Sequence, residues 1–153
     1  MEIRNEDNAR RWLVEELRGA SSVGVIGGAP KCAKTWLGLD MALSVATGTA
    51  CLGKYAVPEP GPVLVYLAED AILVVRERIE GMARHRGLDL APNEIHVITA
   101  PVHGLDRDQD CTRLLETTMW LRPRLLLLDP LLRLHGIDEN HDGEVAKLLA
   151  YFR

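Results

Sequence analysis

The sequence has few cysteines and none in a pairing pattern. It contains three, Cys32, Cys51 and Cys111, without any C-x-x-C spacing. Three thiols cannot all pair with one another. We therefore expect free thiols in a reducing compartment.

Long apolar runs and an excess of positive charge are also missing. The longest apolar stretch, near residues 125–134, is interrupted by Asp129, Pro130 and Arg133 and is too short to cross a bilayer. The charged segment 1–11 has no apolar core, so we expect no signal peptide. The net charge of −4 argues against a broad basic face for duplex nucleic acid, although it leaves room for a local basic loop. We expect a cytoplasmic protein without a membrane partner.

The composition is typical of one globular domain. The chain has 153 residues, of which 47% are apolar and 26% charged, so it fits a single core. We expect one domain over residues 1–153, with a helical segment over residues 1–20 and the core from residue 21.

Short apolar segments alternate with amphipathic ones along the chain. The predicted strands cover residues 23–26, 63–67, 95–99 and 125–128. The predicted helices cover residues 8–17, 36–47, 71–86, 108–121 and 144–152. The strands lack in-and-out alternation, so both of their faces should be covered. This order predicts an α/β fold of three layers, α/β/α, with a mostly parallel sheet.

A loop rich in small residues lies between the first predicted strand and the helix over residues 36–47. Its sequence from Gly28 to Thr35, G-A-P-K-C-A-K-T, matches the phosphate-binding pattern G-x-x-x-x-G-K-[ST] except at Ala33. In such a loop, backbone N–H groups and the positive end of the following helix face the phosphates. We expect Lys34 to neutralise the β- and γ-phosphates and Thr35 to ligate Mg²⁺. The predicted ATP-binding residues are Gly28, Ala29, Pro30, Lys31, Cys32, Ala33, Lys34, Thr35 and Trp36.

Two residues make this loop unusual. Ala33 stands where the pattern has glycine, and alanine costs about 1 kcal/mol in the left-handed conformation that glycine adopts freely. Weaker nucleotide binding or an altered loop would follow. Cys32 lies near a helix N-terminus, which is compatible with a reactive thiol and equally with an inert loop residue.

Two predicted strands end in carboxylates. Asp129 follows four leucines, at the strand end where ligands bind in open α/β sheets, and we expect it to hold Mg²⁺ through water. Glu69 and Asp70 follow the strand over residues 63–67. We interpret Glu69 as the base that orients the attacking water, acting with Lys34 in catalysis, and Asp70 mainly as a helix N-cap.

Several other residues have less specific interpretations. We expect Trp36 and Trp120 to be core or subunit contacts rather than base-stacking platforms. Arg84 and Arg86 are interpreted as solvated helix ends. The polar residues over 135–142 match no common metal-ligand spacing and are interpreted as a solvated loop.

Three blocks of sequence together resemble a known family. They read GGAPKCAKTWLGLDMALSVATGTACLG, PGPVLVYLAED and LLLLDPLLRLHGIDEN. Their order and rough spacing are similar to those of the RecA-like ATPases of the plasmid RepA-type replicative helicase group, often labelled AAA-family ATPases. The resemblance covers nearly the whole chain from residue 8. It implies a RecA-type core, ATP and Mg²⁺, ring-shaped homo-oligomers and translocation on single-stranded DNA.

By the same resemblance, Lys34 and Thr35 are the phosphate and Mg²⁺ residues, Glu69 is the catalytic glutamate and Asp129 is the Walker B acid. The order of the motifs further implies that residues 23–26 pair in parallel with residues 125–128.

The chain departs from this family in two ways, at Ala33 and at its C-terminal end. The family continues there with strands that carry a polar sensor residue and an arginine finger. We therefore expect either a homo-oligomeric ring or a partner chain that completes the core. We also expect residues 23–26 to form an open sheet edge and hydrolysis to be slow. Two alternatives stay open: a nucleotide-binding or interaction module with little turnover, and a small-molecule P-loop kinase, for which we find no Arg-rich lid segment.

Overall fold

The fold is known from a computed structural model, which describes residues 11–67, 70–90, 95–99 and 108–129. In chain order its elements are β1 Trp12–Val14, β2 Arg18–Gly19, α1 Lys34–Thr47, β3 Val63–Leu67, α2 Ile72–His85, β4 Ile95–Ile98, α3 Asp108–Leu121 and β5 Leu125–Asp129. The predicted helix over residues 144–152 and the predicted loop over residues 135–142 lie outside the described residues. Every helix within them is too short or too polar to span a lipid bilayer.

The main sheet has three parallel strands in the order β4-β3-β5. Central β3 is buried along its whole length, and its Val63 lies opposite Ile95 of β4 and Leu125 of β5. The predictions of strands near these positions and of a parallel sheet are therefore confirmed.

Helices cover both faces of this sheet. Val63, Val65 and Leu67 of β3 belong to the core shared with α1 and α2. The intervening Leu64 and Tyr66 pack with Leu114 of α3 on the opposite face. The described residues therefore form a parallel sheet with helices packed against it, which is compatible with the predicted α/β class. Its apolar strands need no polar face, because helices cover both sides.

Helix α1 lies close to the sheet and positions the candidate site at its N-terminal end. Its Leu39 and Leu43 are fully buried. Removing each of these side chains from water stabilises the folded chain by about 1.5–3 kcal/mol. A β-carbon on Gly38 would lie 3.0 Å from Leu127, so glycine at this position lets α1 approach β5. The helix ends as predicted at Gly48, whose φ of 74° allows its N–H to bond to Ser44.

The predicted N-terminal helix over residues 8–17 is wrong for the part that the structure describes. β1 and β2 instead form a small antiparallel hairpin, with Glu16 in the turn at φ 60°. Val14 is fully buried, and the N–H of Glu15 donates to the carbonyl of Ala56 at 2.9 Å. A short helix without tertiary contacts has little stability in water. The burial of Val14 and the hydrogen bond to Ala56 therefore favour the hairpin over the helix that the apolar spacing predicts.

The predicted strand over residues 23–26 is also wrong, and with it the predicted pairing with residues 125–128. No strand forms there, and 62% of Val25 is exposed. β5 pairs with β3, and within the described residues its other edge has no partner strand. Arg18 donates to the Ser22 carbonyl and its guanidinium fills the space beside Gly24. Because residues 23–26 lie outside the sheet, the predicted open edge there is wrong as well.

Candidate phosphate-binding site

The loop before α1 takes an unusual backbone conformation at two positions. Ala33, the N-cap of α1, has φ 65° and ψ 24°, and Lys31 has φ 62°. Ala33 therefore adopts the left-handed conformation that the glycine of the pattern provides, at a cost of about 1 kcal/mol. This conformation starts the helix, since the N–H of Leu37 bonds to the carbonyl of Ala33 at 3.0 Å.

The side chain of Lys34 folds back over the loop. Its Nζ donates to the carbonyls of Gly28 and Ala29, both at 2.8 Å, and lies 3.8 Å from Sγ of Cys32. Within the described part of the chain, no carboxylate forms an ion pair with this ammonium group. Its positive charge is therefore held beside the N-terminal end of α1 by neutral acceptors, which bind an ammonium group less strongly than anionic oxygens do.

The two predicted Mg²⁺ residues lie in direct contact. Oγ1 of Thr35 donates a hydrogen bond of 2.6 Å to Oδ2 of Asp129. Thr35 is placed by the first turn of α1 and Asp129 by the end of β5. A hydroxyl and a carboxylate are ligands that Mg²⁺ accepts, so this pair fits the ion.

Among the described residues, no three or more His, Cys, Asp or Glu side chains cluster as a metal site. Mg²⁺ usually binds through one or two carboxylates together with substrate phosphates and water. The pair formed by Thr35 and Asp129 therefore suits an ion that arrives with a phosphate ligand better than one held by protein alone.

A cavity of about 470 Å³ opens beside the loop. Cys32, Ala33 and Lys34 line it on the loop side, and Leu52 and Met82 are among the residues lining the rest of it. This volume lies within the range of small-molecule sites, which are mostly apolar with a few polar groups.

Cys32 is an exposed free thiol inside the loop. A β-carbon on Gly28 would lie 2.7 Å from its sulfur, so the thiol occupies space that only glycine leaves open. Any group added to this sulfur would therefore crowd Gly28 and the neighbouring ammonium of Lys34.

The interpretation of Asp70 as a helix cap is wrong. α2 begins at Ile72 with Ala71 as its N-cap and without a side-chain cap. The carboxylate of Asp70 instead accepts a hydrogen bond of 2.6 Å from Nη1 of Arg78, and such charge-assisted bonds are stronger than neutral ones. Glu69 lies outside the described residues, so its role stays a prediction.

A buried ion pair behind the site was missed by the sequence analysis. Arg86, interpreted as a solvated helix end, binds the carboxylate of Asp40 and donates to Ser44 at 2.9 Å and Thr49 at 3.1 Å. Only 18% and 15% of the Arg86 and Asp40 side chains are exposed. The signal was Asp40 itself, because an acid within an otherwise buried helix requires a partner.

Neither Trp36 nor Trp120 is a core residue, so that part of their interpretation is wrong, while the alternative of a subunit contact stays a prediction. Their exposed fractions are 47% and 81%. Trp36 lies beside the loop cavity, whereas Trp120 lies on α3.

Comparison with protein families agrees with this fold and loop. A family model described as an AAA domain matches residues 2–153, so the chain belongs to the AAA domain family. Membership supports a P-loop NTPase fold and a nucleotide-binding, ATPase-like function, with use of ATP and typically Mg²⁺. No curated protein and no solved structure matches the chain.

Proposed function

We propose that this chain is a single RecA-like domain that binds ATP with Mg²⁺ at residues 28–36 and hydrolyses it, and that it is related to replicative helicases. The observation that carries the proposal is the 2.6 Å contact between Thr35 and Asp129 next to the loop that holds Lys34. It joins the two sequence motifs on which Mg²⁺–phosphate binding depends.

Phosphate binding follows from the charges around the loop. The first N–H groups of α1 have no partner within the helix, and they carry the positive end of its dipole. Lys34 exchanges its neutral carbonyl partners for anionic phosphate oxygens, which are the stronger acceptors. Thr35 and Asp129 would hold Mg²⁺, and the bound ion would supply positive charge beside the phosphates.

Hydrolysis is assigned to Glu69 together with Lys34. Leu67 of β3 lies opposite Asp129 of β5 in the parallel register, and Glu69 follows Leu67 by two residues in the sequence. The carboxyl ends of the parallel strands β3 and β5 share one edge of the sheet, which is the edge where ligands bind in open α/β sheets. Its carboxylate orients the attacking water and accepts its proton.

A second candidate function is a nucleotide-binding module with little turnover. The left-handed Ala33 favours this function, because its side chain keeps the phosphate-binding loop in a strained conformation. Binding without efficient hydrolysis would follow. The first proposal adds single-stranded DNA as a partner, together with either a ring of like subunits or a different partner chain.

The test compares two lysine variants. Lys34→Ala removes the loop charge, whereas Lys54→Ala removes an equal charge that lies 5.0 Å from the ring of Tyr55. We expect calorimetry to show loss of ATP·Mg²⁺ binding for Lys34→Ala alone, with both variants folded by circular dichroism. Unchanged ATP affinity in Lys34→Ala would refute the site.

Turnover distinguishes the two candidate functions. Steady-state ATP hydrolysis that rises with added single-stranded DNA supports the helicase-related ATPase. ATP binding without turnover, at any protein concentration and with or without DNA, supports the module.

A further inference from the structure

Trp36 is an exposed aromatic residue on the helix that is otherwise most deeply buried. It follows Thr35 directly, yet 47% of it is exposed, whereas the residues of α1 from Leu39 onward are mostly buried. Large aromatic side chains left open beside a cavity are typical of binding surfaces.

The indole ring is fixed in place from α2. Cζ of Arg78 lies 5.5 Å from the centroid of the Trp36 ring, within the range of a cation–π contact. Arg78 is itself held by the carboxylate of Asp70 at 2.6 Å. The ring is therefore a preorganised surface, and little conformational entropy is lost when a ligand binds to it.

Two cavities meet at this ring. The loop cavity of about 470 Å³ contains Lys34, and a second groove of about 520 Å³ lies between α1 and α2. Both are lined by Trp36, Asp40 and Met82. The two cavities therefore share one wall, and we refer to them together as the trough.

Charge in the shared part of the trough is already neutralised. The carboxylate of Asp40 binds Arg86 and accepts the N–H of Leu52 at 2.8 Å. Trp36 and Met82 then supply the shared apolar wall. Such a wall suits a flat, weakly polar ring better than a second anionic group.

We infer that this trough receives the base of the bound nucleotide, with Trp36 as its stacking face. The inference rests on the proposed function, because the phosphates must be held at Lys34 for the base to reach the indole. Aromatic stacking depends little on base identity, since every base has a π-face. Stacking alone therefore does not distinguish adenine from guanine, and the site accepts ATP and GTP alike.

The test uses two ligands that share phosphates but differ in the base. With Mg²⁺ present, Trp36→Ala weakens ATP binding roughly tenfold, the effect of losing one stacked base. It leaves the affinity for inorganic tripolyphosphate unchanged. Trp36→Phe keeps most of the ATP affinity, and Trp120→Ala, which removes an exposed indole on α3, changes neither affinity.

A spectroscopic measurement covers the case in which Trp36→Ala does not fold. In a chain that carries Trp12→Phe and Trp120→Phe, Trp36 is the remaining indole, and ATP and GTP change its fluorescence while tripolyphosphate does not.

The two proposals fail in different ways. Equal loss of ATP and tripolyphosphate binding in Trp36→Ala, or unchanged ATP affinity, overturns the base site and leaves the phosphate site standing. A wild-type chain that binds neither ligand overturns both.

Discussion

The hydroxyl of Thr35 donates to the carboxylate of Asp129 at 2.6 Å, although 94 residues separate them in the sequence. The contact depends on the close approach of α1 to β5, where a β-carbon on Gly38 would lie 3.0 Å from Leu127. The packing of Gly38 against Leu127 thus brings Thr35 of α1 close to Asp129 at the end of β5.

The first prediction concerns the charge of Asp129. Asp129→Asn keeps an oxygen that can accept the Thr35 hydrogen bond, but it removes the negative charge that attracts a divalent cation. We expect the variant to fold normally. The factor by which Mg²⁺ increases its affinity for ATP should be at least tenfold smaller than in the wild type. Calorimetric titration of ATP with and without Mg²⁺ measures this gain.

Asp110→Asn is the matched control, because Asp110 lies on α3 and pairs with Arg113 at 3.8 Å. Equal Mg²⁺ dependence in Asp129→Asn and wild type would show that Asp129 does not hold the ion.

The second prediction concerns strain at Ala33. Ala33→Gly relieves the left-handed conformation at φ 65°, which stabilises the folded chain by about 1 kcal/mol. It also gives the unfolded chain more conformational freedom, which offsets this gain by about 0.4–1 kcal/mol. Ala29→Gly carries only the second effect, because Ala29 is not among the residues of positive φ. We expect the free energy of unfolding of the Ala33→Gly variant to be about 1 kcal/mol higher than that of the Ala29→Gly variant. Urea denaturation measures the difference, and equal values would mean that the loop of the free protein relaxes around Ala33.

Much of the fold could be predicted because its signals are local. Helix α3 has the predicted bounds, Asp108–Leu121, and α2 begins and ends within one residue of its prediction. The apolar strands β3 and β5 were also predictable, because burial on both faces leaves no polar alternation. The N-terminal hairpin was not, because it depends on a contact of Glu15 with Ala56 that no local pattern shows.

The candidate site divides in the same way. The sequence predicted that Lys34, Thr35 and Asp129 belong to one site, and the contact between Thr35 and Asp129 agrees with this, while their chemical roles stay predictions. Sequence spacing does not show that Lys34 bonds to two loop carbonyls, or that Arg86 reaches Asp40 across 46 positions. Both depend on how side chains meet after the backbone is in place.

The third prediction separates two thiols by their surroundings. Cys32 is exposed in the loop, whereas burial, together with the neighbouring Asp40 carboxylate, raises the pKa of Cys51 to about 11. The thiolate is the reactive form, so at pH 7.5 a maleimide should label Cys32 and not Cys51. In a Cys111→Ser background, mass spectrometry should find one added group, and labelling should abolish ATP binding.

Bound ATP·Mg²⁺ should in turn slow the labelling of Cys32, because the phosphates occupy the same loop. Labelling at an unchanged rate would place the thiol outside the phosphate site. Labelling of Cys51 at a rate comparable to that of Cys32 in the folded chain would contradict the burial on which its raised pKa depends.

The last prediction concerns the ion pair between Arg86 and Asp40. Removing one partner of a buried pair leaves the other charge without compensation, which costs about 3–5 kcal/mol when burial is complete. Because 18% of the Arg86 side chain remains exposed, we expect Arg86→Ala to lower the free energy of unfolding by about 2–3 kcal/mol. Arg76→Ala on α2 breaks a fully exposed pair with Glu80 and should leave the free energy of unfolding nearly unchanged.

A double variant identifies the cause of that loss. Arg86 also bonds to Ser44 and Thr49, so part of the cost does not involve Asp40. If the charge of Asp40 carries most of it, Asp40→Asn combined with Arg86→Ala should be more stable than Arg86→Ala alone, since the uncompensated carboxylate is gone. Urea denaturation of the four chains in this cycle gives the coupling. Additive losses would assign the stabilisation to the hydroxyl contacts, and α1 would then be fixed to α2 without help from charge.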